Sequence, residues 1–331
     1  MKDHFSCTLA GSAWWKPMLA FFILFLAVYI PLEFAIIKMA DTGIGNEIST
    51  LLFMMVMIVL LVLLEAGISV ILCRIAFPTI AVRNEHFKFN GDIAEFIKLN
   101  LKGILLSIVT AGFYFPWYST RIIGYLASNS EYRGEKALFQ GNPGKLLKYY
   151  LLALWLPIIL WSIIFSSLVF ITLLMQSKAP AEGMGYGLIA GIVYTSIFFI
   201  IVPFIYLSCK WYVDFKWKDV SITWKTEMWP ATFFLMGQVF LTIITLGIYW
   251  PAFYLKAYRY FIGKTIVESG GKEISRLGFD GRISEGFALL WGQALLSIIT
   301  AGIFLPWAYA NCIRYFINGS YIEDTQGFIS Q

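Results

Sequence analysis

Charged residues are scarce in this sequence of 331 residues, and their scarcity argues against a water-soluble fold. Only 14% of the residues are Asp, Glu, Lys or Arg, whereas 59% are hydrophobic, and the mean hydropathy is +0.73. A soluble domain carries about 25% charged and roughly 45–50% apolar residues. A water-soluble fold could not bury this much apolar surface, so the sequence predicts an integral membrane protein.

Histidine and cysteine are also rare, so the sequence has few residues that could bind a metal ion or form disulfides. The two histidines, His4 and His86, flank different segments, and the four cysteines show no CxxC or CxH spacing. No nucleophile-elbow, zinc-protease, P-loop or dinucleotide-binding pattern occurs. We therefore expect no enzymatic activity, no cofactor and no metal. The net charge of +5 is explained by basic loops, so we expect no nucleic-acid partner.

Long apolar stretches predict the membrane-crossing helices, since a helix needs about 20 apolar residues to cross the hydrocarbon core. Four stretches meet this length: Met18–Ile37, Leu51–Cys73, Tyr150–Met175 and Gly185–Cys209. The first has no cleavage site after it, so we expect it to remain as a signal anchor. Three further apolar segments are shorter or broken: Leu101–Trp117, Ala231–Tyr249 and Phe287–Trp307.

Basic residues predict the orientation, because cytoplasmic loops collect Lys and Arg. Segments 74–102, 118–148, 210–230 and 252–286 are basic, whereas 38–50 and 176–184 hold one Lys each. This pattern predicts a multi-pass membrane protein with both termini in the cytoplasm. The three shorter apolar segments have cytoplasm-like flanks on both sides. Re-entrant hairpins explain this better than single kinked crossings, although the same residues permit a kinked helix.

An internal repeat supports the hairpin interpretation. Residues 89–130 align without a gap with 279–320, and a third copy occupies 231–262. The core reads LLSIVTAGFYFPW, FLTIITLGIYWPA and LLSIITAGIFLPW in chain order. Each core contains a Thr, a Gly and a Pro suited to a turn within the membrane: Thr110, Gly112 and Pro116; Thr245, Gly247 and Pro251; Thr300, Gly302 and Pro306.

A β-hairpin is predicted at 211–225, where apolar residues alternate around a polar Lys218-Asp219 joint. The sequence as a whole predicts one integral membrane domain over 1–331. Its fold class is an all-α polytopic membrane protein with four full transmembrane helices, three repeated broken or re-entrant helical hairpins and a small cytoplasmic β element.

The sequence resembles the bacterial YjgN-like inner-membrane family, a domain of unknown function. The resemblance is carried by the repeated L-[ST]-I-[IV]-T-x-G core and by the Arg-Tyr-Phe that follows at 259–261 and 314–316. A preceding Phe-x-Gly, at 89–91 and 279–281, supports it. The first copy departs from the pattern with Gly-Tyr-Leu at 124–126. The resemblance implies an inner-membrane location and supplies no reaction or substrate.

Four polar residues within the apolar segments are candidate binding residues. Glu65 and Glu33 are carboxylates within predicted membrane spans, and an ionisable group in hydrocarbon is by default a functional hypothesis. Glu65 could bind or relay a proton, or it could simply bond a neighbouring helix. Gln238 and Gln293 occupy one repeat position and could line a polar path, although interhelical hydrogen bonding is the commoner role.

Two functions remain open at this stage. Repeated broken helices occur at the binding sites of transporters, which favours passage or binding of a small solute, ion or lipid. The alternative is a structural, envelope-organising membrane protein that transports nothing. Membrane lipids are the expected partners in both cases, and the sequence leaves the oligomeric state open.

Overall fold

Helical hairpins alternate with short strands along the chain. The computed structural model describes residues 2–41, 47–176 and 199–324. The helices are α1 (Gly11–Asp41), α2 (Glu47–Ala76), α3 (Ile93–Val109), α4 (Phe115–Ser128), α5 (Pro143–Tyr149), α6 (Leu156–Gln176), α7 (Phe199–Tyr212), α8 (Met228–Ile244), α9 (Trp250–Ile262), α10 (Ile283–Ile299) and α11 (Leu305–Asn318). A π-helical stretch, Tyr150–Trp155, joins α5 to α6.

Eleven short strands form one antiparallel sheet. They are β1 (Lys2–Cys7), β2 (Ile80–Val82), β3 (Glu85–His86), β4 (Lys88–Phe89), β5 (Ser130–Tyr132), β6 (Glu135–Phe139), β7 (Phe215–Trp217), β8 (Val220–Trp224), β9 (Thr265–Ser269), β10 (Lys272–Phe279) and β11 (Ser320–Asp324). Their order is β3-β2-β1-β11-β10-β9-β8-β7-β6-β5-β4. The two edge strands, β3 and β4, are separated only by Phe87, so the sheet curves into a nearly closed barrel.

The barrel has two unlike ends. At one end, the helix end, every strand except β3 joins a helical segment. The opposite end, the turn end, holds the tight turns of the β2–β3, β5–β6, β7–β8 and β9–β10 hairpins. The first and last described strands also meet there, because Lys2 of β1 pairs with Glu323 of β11. All helical excursions therefore leave the barrel from the same end and return to it.

The three repeat segments adopt one conformation, in which two helices are joined by a tight turn. In the first, the Thr110 hydroxyl donates to the Leu106 carbonyl (2.7 Å) and accepts from the Tyr114 amide (3.0 Å). The Gly112 amide donates to the Ser107 carbonyl (2.7 Å). The same bonds form around Thr245 and Thr300. The turn thus satisfies its own backbone groups, as a lipid environment requires.

Conformation explains the Gly and Pro of each turn. The glycines Gly112, Gly247 and Gly302 have φ near +89, a region that side chains disfavour. The prolines Pro116, Pro251 and Pro306 lie in the first turn of the second helix, where no amide donor is needed. The first arms have 17 residues each and the second arms 13 or 14. Each arm is shorter than the roughly 20 residues of a full crossing.

Three helices of the described residues are long and apolar enough to cross a membrane. They cover Gly11–Phe34, Leu52–Thr79 and Pro143–Ile171. The prediction of four full spans is therefore wrong. Of the helix predicted at Gly185–Cys209, only residues 199–209 are described, as part of α7, and the rest of that prediction lies outside the described residues.

The predicted all-α fold class with a small β element is also wrong. The hairpin expected at 211–225 is present as β7 and β8, turning at Lys218-Asp219, but it is two of eleven strands. Most strands have two to five residues and lie between helices, so they are too short to show the alternation that identifies a strand. Their pairing is also non-local, since β1 pairs with β11 from the other end of the chain.

Candidate functional site

A cavity of about 500 Å³ occupies the interior of the barrel. Part of its wall is formed by alternate residues of a strand, because successive side chains of a strand point to opposite faces. Val220 and Ile222 of β8 line it, and Val267 and Ile274 of the next two strands pack beside them. The volume lies within the roughly 300–1,000 Å³ of small-molecule pockets, which are also mostly apolar.

Aromatic side chains form another part of the wall. The ring of Phe87, at the gap between β3 and β4, stacks on Tyr132 with centroids 4.7 Å apart, and Tyr132 lies 5.6 Å from Trp217. The Tyr132 hydroxyl donates to the Val82 carbonyl (3.2 Å). Burial raises the pKa of Tyr132, with Arg133 opposing the shift, so the group is a neutral phenol at physiological pH.

Basic residues surround the cavity at the turn end of the barrel. Arg83, Arg133 and Lys218 each lie in a β-turn with positive φ, and each lines the cavity. Short hairpin turns require positive φ at such positions. The three turns therefore place three cations around one opening, together with the carboxylates of Glu131 and Glu135, which also line the cavity.

The three cations differ in their partners. Arg83 donates to the carboxylate of Asp3, and the Lys218 amine lies 3.5 Å from a carboxylate oxygen of Glu135. The Arg133 guanidinium lies 5.7 Å from the centroid of the Tyr132 ring. Within the part of the chain that the structure describes, Arg133 has no carboxylate at salt-bridge distance. It is therefore the rim cation available to an added anion.

A second cavity, of about 260 Å³, adjoins the first at the helix end. Phe5 and Phe77 line both cavities, as does Phe87. Beyond them the smaller cavity is lined by Ile262, the last residue of α9, and by Ile317 of α11. Apolar surface thus extends from the barrel interior to the base of the helices.

The Phe-x-Gly motifs form the junctions from strand to helix. At Gly141, a Cβ atom would lie 2.1 Å from the Phe139 ring, and the corresponding distances at Gly91 and Gly281 are 2.6 and 2.4 Å. Only glycine lets the ring fold back over the chain in this way. The Arg74 side chain donates to the Gly91 carbonyl, and Arg259 donates to that of Gly281. The motif has a structural role at the base of the hairpins.

The four candidate binding residues do not meet in one site, and none lines the barrel cavity. Glu65 is exposed on α2, within electrostatic range of the Tyr118 hydroxyl. Glu33 is half-buried on α1, where it bonds the hydroxyl of Tyr29 one turn away. These two carboxylates lie on different helices, α1 and α2.

Gln238 and Gln293 each bond the second arm of their own hairpin. The side-chain carbonyl of Gln238 accepts from the Tyr249 hydroxyl (2.8 Å), to which Lys256 also donates (2.9 Å). The Gln293 carbonyl accepts from Asn311 (2.9 Å). These contacts hold the two arms of a hairpin together, which is the commoner role of such residues in membrane helices.

Sequence reasoning missed the rim cations and the cavity wall. A signal for the turns was present, because Val-Arg-Asn-Glu at 82–85 and Tyr-Arg-Gly-Glu at 132–135 carry Asn or Gly where a tight hairpin needs positive φ. No signal could place the two turns at one opening, since that depends on the order of strands in the sheet. Among the described residues, no group of three or more potential metal ligands lies together.

Comparison with known protein families gives a match over the central part of the chain. The sequence model of a family described as bacterial protein of unknown function (DUF898) matches residues 84–269, more than half of the chain. The chain belongs to the DUF898 family. The DUF898 match begins at the β2–β3 turn and ends at β9, so it includes two repeat segments and the rim residues Arg133 and Lys218. Neither a curated protein nor a solved structure matches the chain.

Proposed function

We propose that this protein binds a small apolar or amphipathic molecule, such as a lipid, inside its barrel. The observation that carries the proposal is the cavity of about 500 Å³, lined by apolar and aromatic side chains from most of the strands. An empty apolar cavity of this size forfeits dispersion contacts along its whole wall. A ligand that fills it restores those contacts and gains the free energy of leaving water.

The barrel is proposed to lie on the cytoplasmic side of the bacterial inner membrane. The basic segments 74–102, 118–148, 210–230 and 252–286 contain the strands β2 to β10, and cytoplasmic loops collect such residues. Both ends of the described chain pair within the barrel, so both termini lie on that side in this proposal. The chain is proposed to have no enzymatic activity and to have membrane lipids as its partners.

A structural, envelope-organising role is the second candidate, and the hairpin turns favour it. Their apolar side chains are highly exposed, with Leu246 at 92%, Val109 at 82% and Ile299 at 78%. Such turns would anchor the barrel in one leaflet without any transport. In this alternative the cavity has no physiological ligand.

Filling the cavity tests the proposal. Ala137 and Ile222 line it from β6 and β8, so Ala137→Trp with Ile222→Trp would occupy its centre. The matched control is Lys136→Trp with Thr223→Trp, which changes the neighbouring residues of the same strands and does not line the cavity. Each full-length variant is placed in lipid nanodiscs and titrated with an environment-sensitive fluorescent alkyl probe.

We expect the wild-type protein and the control to bind the probe, and the filled variant to fall to the level of empty nanodiscs. Melting temperatures of all three proteins show whether the variants remain folded. Equal binding by a folded filled variant would overturn the proposal. Absence of binding by the wild-type protein would do the same and would favour the structural role.

A further inference from the structure

The two ends of the barrel cavity differ in chemistry. At the turn end, the guanidinium of Arg133 lies at the opening with no carboxylate partner among the described residues. At the helix end, the cavity reaches Phe5, Phe77 and Phe87 and continues into the smaller apolar cavity. A ligand matched to both ends has one anionic end and one long apolar end.

The polar groups near the helix end already have partners. The smaller cavity contains the hydroxyls of Tyr258 and Ser320, but these bond each other (2.8 Å), and Ser320 also donates to the Phe316 carbonyl (2.7 Å). No cation lines the smaller cavity. The lining at that end is therefore a continuous apolar wall that an alkyl chain can contact. Its described residues include no cation and no free hydroxyl group to bind a charged headgroup.

The free-energy cost of moving a charged headgroup from water into apolar surroundings determines the direction in which the ligand enters. A headgroup that entered from the helix end would have to pass three phenylalanine rings without compensating hydrogen bonds, and transfer of an ion into such surroundings is very unfavourable. A tail that enters from the turn end leaves its headgroup in water until it reaches the rim. Tail-first entry from the aqueous side avoids the penalty.

We propose that the ligand is a single-chain anionic amphiphile that enters tail first at the turn end, with its carboxylate or phosphate held by Arg133 and its tail directed toward the membrane helices. This inference rests on the proposed function and specifies its ligand. Arg133 acts as the headgroup-binding residue because guanidinium pairs with carboxylate or phosphate through two parallel hydrogen bonds. Lys218 and Arg83 are already paired with Glu135 and Asp3, so Arg133 alone of the three rim cations is assigned to the headgroup.

A charge series tests the headgroup assignment. Dodecanoate, dodecyl phosphate, dodecanol and dodecyltrimethylammonium would compete with the fluorescent probe on full-length protein in zwitterionic nanodiscs. Arg133→Glu is compared with Lys272→Glu, which reverses a charge at the same end of the barrel outside the cavity lining. Comparing variants with one ligand cancels the partition of that ligand into the bilayer.

We expect Arg133→Glu to lower the affinity for both anions about tenfold, because one charge-assisted pair is lost. The affinity for dodecanol is expected to stay unchanged, and that for the ammonium ligand to rise. Lys272→Glu is expected to change each affinity by less than about twofold. Preference for one anion over the other distinguishes a fatty acid from a phosphate lipid. Equal affinities for all four ligands, with binding still abolished in the cavity-filled variant, would overturn this inference and leave the proposed function intact.

Photolabelling tests the direction. One fatty acid carries a diazirine at its terminal carbon, and another carries it beside the carboxylate. Mass spectrometry of the labelled protein is expected to find the terminal label on Phe5, Phe77 or Ile317, and the other label on Tyr132 or Arg133. The opposite pattern would show that the headgroup lies at the helix end and would overturn the proposed orientation. Labelling of the wild-type protein no greater than that of the filled variant would overturn the proposed function itself.

Discussion

Tyr125 closes the junction between β4 and α3 through one hydroxyl group. The hydroxyl accepts from the Asp92 amide (2.6 Å) and donates to the Asp92 carbonyl (2.8 Å), while the ring packs 5.1 Å from Phe96. In the third repeat segment, Tyr315 donates to the carbonyl of Arg282 in the same way. One aromatic residue of the second arm thus fixes where the first arm begins.

Removing this hydroxyl is expected to destabilise the fold. Tyr125→Phe leaves the amide and carbonyl of Asp92 without this partner, so we expect a loss of about 1–3 kcal/mol in the free energy of unfolding. Tyr114→Phe is the matched control, because the Tyr114 hydroxyl is buried and has no hydrogen-bond partner among the described residues. That change is expected to be neutral or slightly stabilising.

Thermal unfolding of both variants in one detergent, followed by intrinsic fluorescence, provides the measurement. A lower melting temperature for Tyr125→Phe alone is the expected result. If the two variants lost stability equally, the hydroxyl of Tyr125 would contribute nothing specific to the junction.

At the scale of the element, the hairpin turn depends on backbone conformation more than on packing. Gly247 in the turn and Gly237 in α8 both have open space where a Cβ atom would lie, but only Gly247 has a positive φ, of +89. Gly247→Ala is therefore expected to destabilise the protein by about 1–2 kcal/mol. Gly237→Ala is expected to stabilise it by up to about 1 kcal/mol, because alanine favours a helix interior.

The opposite signs make this pair of glycine variants a sharp test. Both substitutions add one methyl group to the same hairpin, and both can be followed by thermal unfolding in the same lipid. Equal shifts of the two melting temperatures would mean that the turn conformation does not limit stability.

The elements were predictable from the sequence to unequal degrees. The repeat cores carry Thr, Gly and Pro at fixed spacing, and these residue types favour a local turn whatever the rest of the fold. The β7–β8 hairpin was predictable because it has alternation and a polar turn. Strands such as β3 and β4 have only two residues each, too few to show an alternation of apolar and polar residues.

The candidate site was not predictable, because its residues are adjacent only after the sheet has formed. Phe5, Tyr132 and Ile322 come from opposite parts of the chain and meet through the order of the strands. Sequence reasoning selected Glu65, Glu33, Gln238 and Gln293 instead, because they are polar residues within apolar segments. The two glutamines have local partners within their hairpins, and a role for the two carboxylates stays a prediction.

At the scale of the whole molecule, the pairing of β1 with β11 holds the barrel together and can be trapped covalently. Lys2 and Glu323 are direct partners, and directly opposed residues of antiparallel strands have Cα atoms about 4.5–5.5 Å apart. That spacing suits a disulfide. Lys2→Cys with Glu323→Cys is therefore expected to form a disulfide under mild oxidation, identified by mass spectrometry of the linked peptides.

The control places the second cysteine three strands away. Glu268 lies on β9, and strands are about 4.8 Å apart, so Lys2→Cys with Glu268→Cys is expected to remain reduced. A link in the control, or none in the test pair, would contradict the observed strand order. The result also reports whether the two ends of the described chain lie on the same side of the membrane.

The strand order has a consequence for biosynthesis. β1 leaves the ribosome before its neighbour β11, and the eleven helices of the described residues are translated between them. Pairing of β1 with β11 must therefore wait until all of these helices have been translated, since a non-local pairing cannot form before both strands exist. Until then the nascent protein has helical hairpins and an open sheet in which β1 lacks its partner. At this stage a chaperone would have the most apolar surface to protect.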